Sequence, residues 1–186
     1  MGYDPHIHHR RSIRLKEYDY SQAGWYYITV CTEHRVWAFG EIVDDEFVPS
    51  SVGAIILQRW RDIPKHFSKV ELDAYVLMHN HFHGIIILGD EPLRNGPLRK
   101  GLINQTPTNH WPMMKEPSTT LGKIVRAFKA RAAYAIHSSG REDFRWQRGF
   151  YEHVIRNDAD LSRIRAYIQN NPLRWSLDEQ KANNRD

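Results

Sequence analysis

The order of apolar patterns along this chain predicts an α+β domain: a split βαβ, ferredoxin-like antiparallel sheet with helices on one face, plus a further helix near the C-terminal end. Three observations carry that expectation. Runs rich in β-branched and aromatic residues occur at Trp25–Cys31, Glu71–Met78, His81–Leu88 and Phe150–Ile155. Apolar residues at helical spacing fill the intervals between them, from Val52 to Phe67 and from Leu121 to Ala132. The resulting order is strand, helix, strand, strand, helix, strand, helix, and a βαββαβ core of that kind closes as a split βαβ sheet.

Composition bounds the class. A chain of 186 residues with 41% hydrophobic content is large enough to bury one proper core, so a single domain over 1–186 is expected. A net charge of +4 and a pI near 9.2 permit a polyanionic partner without establishing one. The single cysteine, Cys31, excludes an intramolecular disulfide and a cysteine-based zinc site, and a reducing cytoplasm fits. The N-terminus has no apolar signal core, and no run approaches the length of a membrane span.

Taken in order, residues 1–20 form a polar, basic arm. His6, His8 and His9 stand there beside Arg10, Arg11, Arg14 and Lys16, suited to solvent or to phosphates. Trp25–Cys31 follows Gly24 as an all-β-former strand. Val36–Phe39 and Glu46–Val48 read as short strands or a hairpin around Asp44-Asp45. Ser50 or Ser51 caps a packing helix whose stripe is Val52, Ile55, Ile56, Trp60, Ile63 and Phe67. Glu71–Met78 and His81–Leu88 make a hairpin through His79-Asn80. Residues 89–117 carry repeated Gly and Pro and read as a long loop, mildly basic through Arg94, Arg99 and Lys100. Ser118 or Thr119 caps the next helix, with Leu121, Ile124, Val125, Phe128 and Ala132 on its apolar stripe. Asn157 caps the last one, with Asp158 and Asp160 favourably placed in its first turn. Leu161, Ile164 and Ile168 share one face of that helix; Pro172 stops it, Trp175 packs back, and a polar tail follows over 176–186.

The chemistry concentrates at His81-Phe82-His83. Side chains alternate along a strand, so the two imidazoles point one way and Phe82 points into the core. Two parallel imidazoles on a rigid strand are half of a metal site, or else satisfied polar groups at the start of a strand. Tyr167 and Asn171 are four residues apart and so neighbours on one helix flank, well off the Leu161/Ile164/Ile168 stripe. Tyr167 is then either an amphipathic packing residue or a nucleophile held beside a metal. Asn171 can add a carbonyl oxygen to the two imidazoles.

The ordered set His81-Phe82-His83, Trp146-Gln147-x-x-Phe150-Tyr151-x-His153-x-Ile155-Arg156 and Tyr167-Ile168-x-x-Asn171-Pro172 resembles the one-tyrosine HUH (histidine–hydrophobic–histidine) transposases. In particular it resembles the REP-associated tyrosine transposases, domesticated relatives of the single-strand transposases of bacterial insertion sequences. The resemblance covers roughly residues 20–175. It implies a DNA strand transferase or nuclease acting on single-stranded DNA, usually beside a hairpin. In that family the tyrosine attacks a phosphodiester, forms a 5′-phosphotyrosine link and releases a 3′-hydroxyl. A divalent ion, Mg²⁺ or Mn²⁺, is held by the two histidines and a side chain one turn after the tyrosine. Carried onto this chain, Tyr167 is the nucleophile, His81 and His83 are metal ligands, and Asn171 is the third. Insertion-sequence members often have glutamine there, and the shorter asparagine needs a closer approach. Glu152 and His153 recur in the family pattern, and His153, mid-strand, reads as structural.

Charge and position add Lys123, Arg126, Lys129, Arg148 and Arg156 as phosphate contacts, with exposed aromatics stacking on bases. The resemblance admits a monomer or a homodimer with exchanged helices. Two other readings stay open: a domesticated regulator that binds hairpin DNA without transposing it, and a metal-dependent nuclease that activates water and uses Tyr167 structurally.

Overall fold

The computed structural model describes residues 18–43, 46–90 and 119–171. The expectations for most of the basic arm, for most of the 89–117 loop, for Ser118 as a cap and for the tail with Trp175 lie outside the described residues.

In chain order the elements are β1 (Gly24–Cys31), β2 (Gly40–Val43), β3 (Glu46–Pro49), α1 (Ser51–Arg61), the one-turn α2 (Ile63–His66), β4 (Val70–Leu77), β5 (His81–Leu88), α3 (Leu121–Ser138), β6 (Tyr151–Ile155) and α4 (Asp158–Gln169). The main sheet runs β4-β5-β1-β6 with every neighbouring pair antiparallel, which is the expected split βαβ arrangement. β2 and β3 form a separate hairpin. No helix among the described residues is long and apolar enough to cross a membrane.

Both faces of the sheet are covered, which is why its central strands read as unbroken apolar runs. On one face Tyr26, Ile28, Val30, Phe82 and Ile86 pack against Val52, Ile56 and Trp60 of α1 and against Ile124, Phe128 and Ala132 of α3. The residues between them in sequence, Trp25, Tyr27, Ile85 and Ile87, point to the other face and lie beneath Leu161, Ile164 and Ile168 of α4. The three α4 side chains contribute roughly 5–9 kcal/mol of burial before ordering entropy is subtracted. The sequence stripe on α4 is therefore what holds this helix over the sheet face opposite α1 and α3.

Polar contacts fix where along the sheet α4 sits. Arg165 clasps Asp73 through two hydrogen bonds, one from Nε at 3.0 Å and the other from Nη2. The same guanidinium lies 5.5 Å from the Trp25 ring. At the other end, His153 on β6 bonds Asp160 at 2.7 Å, and Arg163 bonds the same carboxylate. Burial alone would raise the Asp160 carboxyl, but the His153 and Arg163 hydrogen bonds outweigh it and hold it below the usual carboxylate range. His153 is thus a brace between β6 and α4, as its mid-strand position suggested.

Two expectations shift. Val36–Phe39 is not a strand. His34 and Arg35 adopt left-handed backbone with φ of 53° and 55°, turning the chain out of β1. The Ala38 and Phe39 amides are then both taken by the His79 carbonyl at 3.0 Å, so no ladder can form there. The hairpin begins instead at Gly40. The α3 cap is Thr120, whose side chain accepts from the Lys123 amide, rather than Thr119 one residue earlier. Ser50 and Asn157 cap α1 and α4 as expected.

Candidate metal and nucleophile site

β1, β5 and α4 build the site. His81 and His83 lie on the α4 face of β5, with ring centroids 4.7 Å apart. Register places Thr29 opposite His83 and Cys31 opposite His81.

The environment of each imidazole fixes which nitrogen faces outward. Asn80 donates through Nδ2 to the Arg35 carbonyl at 2.9 Å, so its Oδ1 must be the atom 2.8 Å from His81 Nδ1. An amide oxygen only accepts, so His81 Nδ1 carries the proton and Nε2 carries the lone pair. His83 Nδ1 lies 2.7 Å from the Tyr27 hydroxyl and 2.8 Å from Thr29 Oγ1. Both hydroxyls can donate or accept, and His83 Nε2 presents its lone pair in the tautomer whose Nδ1–H is donated to one of them. That nitrogen is buried and has no hydrogen-bond partner among the described residues. Burial, then the neighbouring His81, pushes the His83 imidazole down to about 3. Burial first, then Arg35 and His79, pushes His81 to about 4. Both rings are therefore neutral near pH 7, the form that binds metal. Neighbours that hold the Nδ1 side of an imidazole are what orient its Nε2 toward a metal.

No group of three or more His, Cys, Asp or Glu side chains suited to a metal occurs among the described residues. A divalent ion would therefore rest on the imidazole pair, an oxygen from another residue type, and substrate or water. The Nε2 of His83, buried with no hydrogen-bond partner among the described residues, fits such an ion.

The Tyr167 ring lies 5.4 Å from the His83 ring and 6.5 Å from that of Tyr27. It is 39% exposed, so the side chain is partly accessible while its ring leans on the site. Tyr27 is the opposite case: buried, bonded to His83, and with its phenol pushed up by burial, so it keeps its proton. Tyr151 is exposed and contacts the Tyr27 ring at 6.3 Å. Asn171 is buried, but α4 ends at Gln169 with Asn170 as its C-cap. The interruption falls at Asn170, a turn residue, and Asn171 is again helical, so the regular α4 flank from Tyr167 does not run unbroken to Asn171.

The cations separate by location. Lys123 and Arg126 are exposed on α3, on the sheet face opposite the imidazoles. Arg156 follows β6 beside the Trp25 end of β1, the far end of the sheet from His81. Lys129 donates to the Gln147 and Gly149 carbonyls, each at 2.7 Å, and lies 5.8 Å from the Trp146 ring. It pins the loop before β6. Arg148, exposed in that same loop, sits at the imidazole end of the sheet, because the Gln147 amide bonds the Cys31 carbonyl at 2.9 Å. Sequence reasoning missed Tyr27, Thr29, Asn80 and Arg35. Only Asn80, adjoining His81, stood within reach of a local signal.

No family model matches the chain. An uncharacterized protein from Haemophilus influenzae (strain ATCC 51907 / DSM 11121 / KW20 / Rd) is 38% identical over 180 residues, spanning 95% of this chain and 96% of that one. The two proteins belong to one family. Among solved structures, a REP-associated tyrosine transposase bound to a REP hairpin aligns with a TM-score of 0.56 at 17% identity, over 89% of this chain and 74% of that chain. This chain has the REP-associated tyrosine transposase fold. A candidate transposase from Deinococcus radiodurans R1 aligns more loosely, with a TM-score of 0.45 at 16% identity over 86% of this chain and 97% of that chain. In this transposase-fold chain the imidazole pair opens the third strand of the βαββαβ core, and the tyrosine rides the helix after the fourth.

Proposed function

We propose that this protein is a metal-dependent tyrosine transposase that cleaves and rejoins single-stranded DNA beside hairpins through a 5′-phosphotyrosine intermediate. One observation carries the reading: a partly exposed tyrosine, Tyr167, leans on His83, whose Nε2 is buried with no hydrogen-bond partner among the described residues. A packing tyrosine would not need a neutral, pre-oriented imidazole pair beside it.

In this account His81 and His83 would hold Mg²⁺ or Mn²⁺, with the Asn171 amide oxygen as third ligand, and an ion held there would supply positive charge to the scissile phosphate. Tyr167 Oη forms a bond to phosphorus, and the bond from phosphorus to the 3′ oxygen breaks. The phenolic proton leaves for solvent, and the departing oxygen takes a proton to become a 3′-hydroxyl. Rejoining is the reverse, so no nucleotide cofactor is needed. Tyr27, Thr29 and Asn80 fix the imidazoles before substrate arrives. The packing of α4 on the sheet of its own chain supports one chain carrying the whole set. Of the cations, Arg148 is best placed for phosphates near the cleavage point. Lys123, Arg126 and Arg156 serve DNA that extends around the sheet, and Lys129 keeps the Arg148 loop in place.

The test is incubation with end-labelled hairpin DNA carrying single-stranded flanks, with and without Mn²⁺, followed by a denaturing gel. A metal-dependent shifted adduct, lost in His83→Ala, is expected. Cleavage without any adduct would replace this reading with water activation, and tight binding without cleavage would replace it with a regulatory binder.

A further inference from the structure

The turn after β1 carries features that the cleavage chemistry does not use. His34 and Arg35 are non-glycine residues in left-handed backbone, a conformation that persists only when its surroundings enforce it. The enforcement is visible. Asn80 Nδ2 holds the Arg35 carbonyl at 2.9 Å, Thr32 Oγ1 holds the Val36 carbonyl at 2.9 Å, and the Thr32 amide bonds the Asn80 carbonyl at 2.9 Å. The result puts Trp37 on the surface, 59% exposed, its ring 4.5 Å from that of His79. An indole displayed so openly is unusual, since tryptophan is highly buried on average. Arg35 is also exposed, and its charge reaches both His81 and Cys31. Cation and indole therefore stand together at the end of the sheet where β5 begins, and Asn80 bonds both this turn and His81.

We propose that Arg35 and Trp37 form a nucleotide subsite next to the imidazole pair, Arg35 taking a backbone phosphate and Trp37 stacking on the base of the unpaired strand that runs off the cleavage point. The inference rests on the single-stranded DNA reading above. The occupant is single-stranded nucleic acid because its two repeating chemistries, an anion and a flat π-face, match the two side chains displayed. A duplex offers the anion without an accessible base face. Asn80 acts as a positioning residue, so occupancy of the subsite and orientation of His81 share one amide.

Fluorescence anisotropy of the full-length protein with labelled oligo-dT, with a blunt hairpin, and with that hairpin carrying a dT tail tests the idea. Trp37→Ala should bind oligo-dT and the tailed hairpin about tenfold more weakly, and Trp37→Phe should recover most of that loss. Arg35→Gly suits the left-handed backbone better than arginine does, so weaker binding there cannot come from a strained turn. It should lower the slope of log affinity against log salt by about one phosphate's worth, roughly 0.7. Blunt-hairpin affinity should not change. If wild type binds the tailed hairpin and all three variants match it, the subsite is wrong while the proposed function stands. Equal losses on blunt and tailed hairpins would also overturn the subsite. If wild type binds none of the three DNAs, both readings fall.

Discussion

Gly84, the residue immediately after His83, faces a ring that leaves no room for a methyl group. A Cβ at position 84 would lie 2.5 Å from Trp60 Cζ2, 2.7 Å from Trp60 Cη2 and 2.9 Å from Phe82 Cε1. Ordinary contact begins at 3.4 Å, so the indole or the strand must give by nearly an ångström. Trp60 is fully buried, 4.6 Å from the Phe82 ring and 5.5 Å from that of Phe128, so neither it nor its neighbours can swing aside cheaply. Overpacking of this kind costs about 1–3 kcal/mol, and rigid rings on all sides favour the upper half of that range. For a chain of this size each kcal/mol lowers Tm by about 2–4 °C, so Gly84→Ala should melt roughly 5–10 °C below wild type. Thermal denaturation followed by circular dichroism reads this directly. Trp60→Phe removes the two indole atoms the methyl would strike hardest, leaving only Phe82 Cε1, so the double variant should lose less than the sum of the two singles, by about 1 kcal/mol. A Gly84→Ala protein melting within about a degree of wild type, or strict additivity in the double variant, would refute the argument that the indole excludes a side chain beside His83.

Asn80→Ala removes both the acceptor for His81 Nδ1–H and the donor to the Arg35 carbonyl; it should cost about 1–3 kcal/mol of stability and weaken Mn²⁺ binding about 10–100-fold by calorimetry, and unchanged metal affinity would count against its orienting role. Asp160 has a folded carboxyl below its ordinary value, so its contribution is full above the unfolded value near 4 and is lost as pH falls through the lower folded value. Asp160→Asn should therefore melt about 2–4 °C below wild type at pH 7, with the gap closing towards pH 3; a gap of the same size at both pH values would contradict the brace to His153 and Arg163. Tyr167→Phe should bind hairpin DNA as wild type does and form no covalent adduct, whereas parallel loss of binding and adduct would point to a folding role.

Local signals made much of this legible in the sequence. The hairpin carrying His81 and His83, the caps Ser50 and Asn157, and the α4 stripe each depend on residues within a few positions of one another. Their physics survives projection onto one dimension. The strand expected at Val36–Phe39 failed because the deciding residues are remote: Asn80 and His79 hold the turn and take the amides that a ladder would use. The same holds for the partners of His83. Tyr27 and Thr29 lie more than fifty residues away in sequence and arrive only through the β1–β5 register. Charge was the least legible quantity. Lys123, Arg126 and Lys129 look alike along the helix, yet α3 packs on the sheet face away from the imidazoles, and Lys129 is tied to two carbonyls. A helical stripe says which side of a helix is buried, not which side of the sheet receives it.

The most direct test of the central claim is to locate the covalent bond. Adduct formed with hairpin DNA and Mn²⁺ would be digested with nuclease and trypsin, and the peptides sequenced by mass spectrometry. The account predicts a nucleotide 5′-phosphate on Tyr167, within the tryptic peptide that runs from Ala166 to Arg174. A phosphonucleotide on Tyr151 or Tyr27, or cleaved DNA with every tyrosine unmodified, would contradict it.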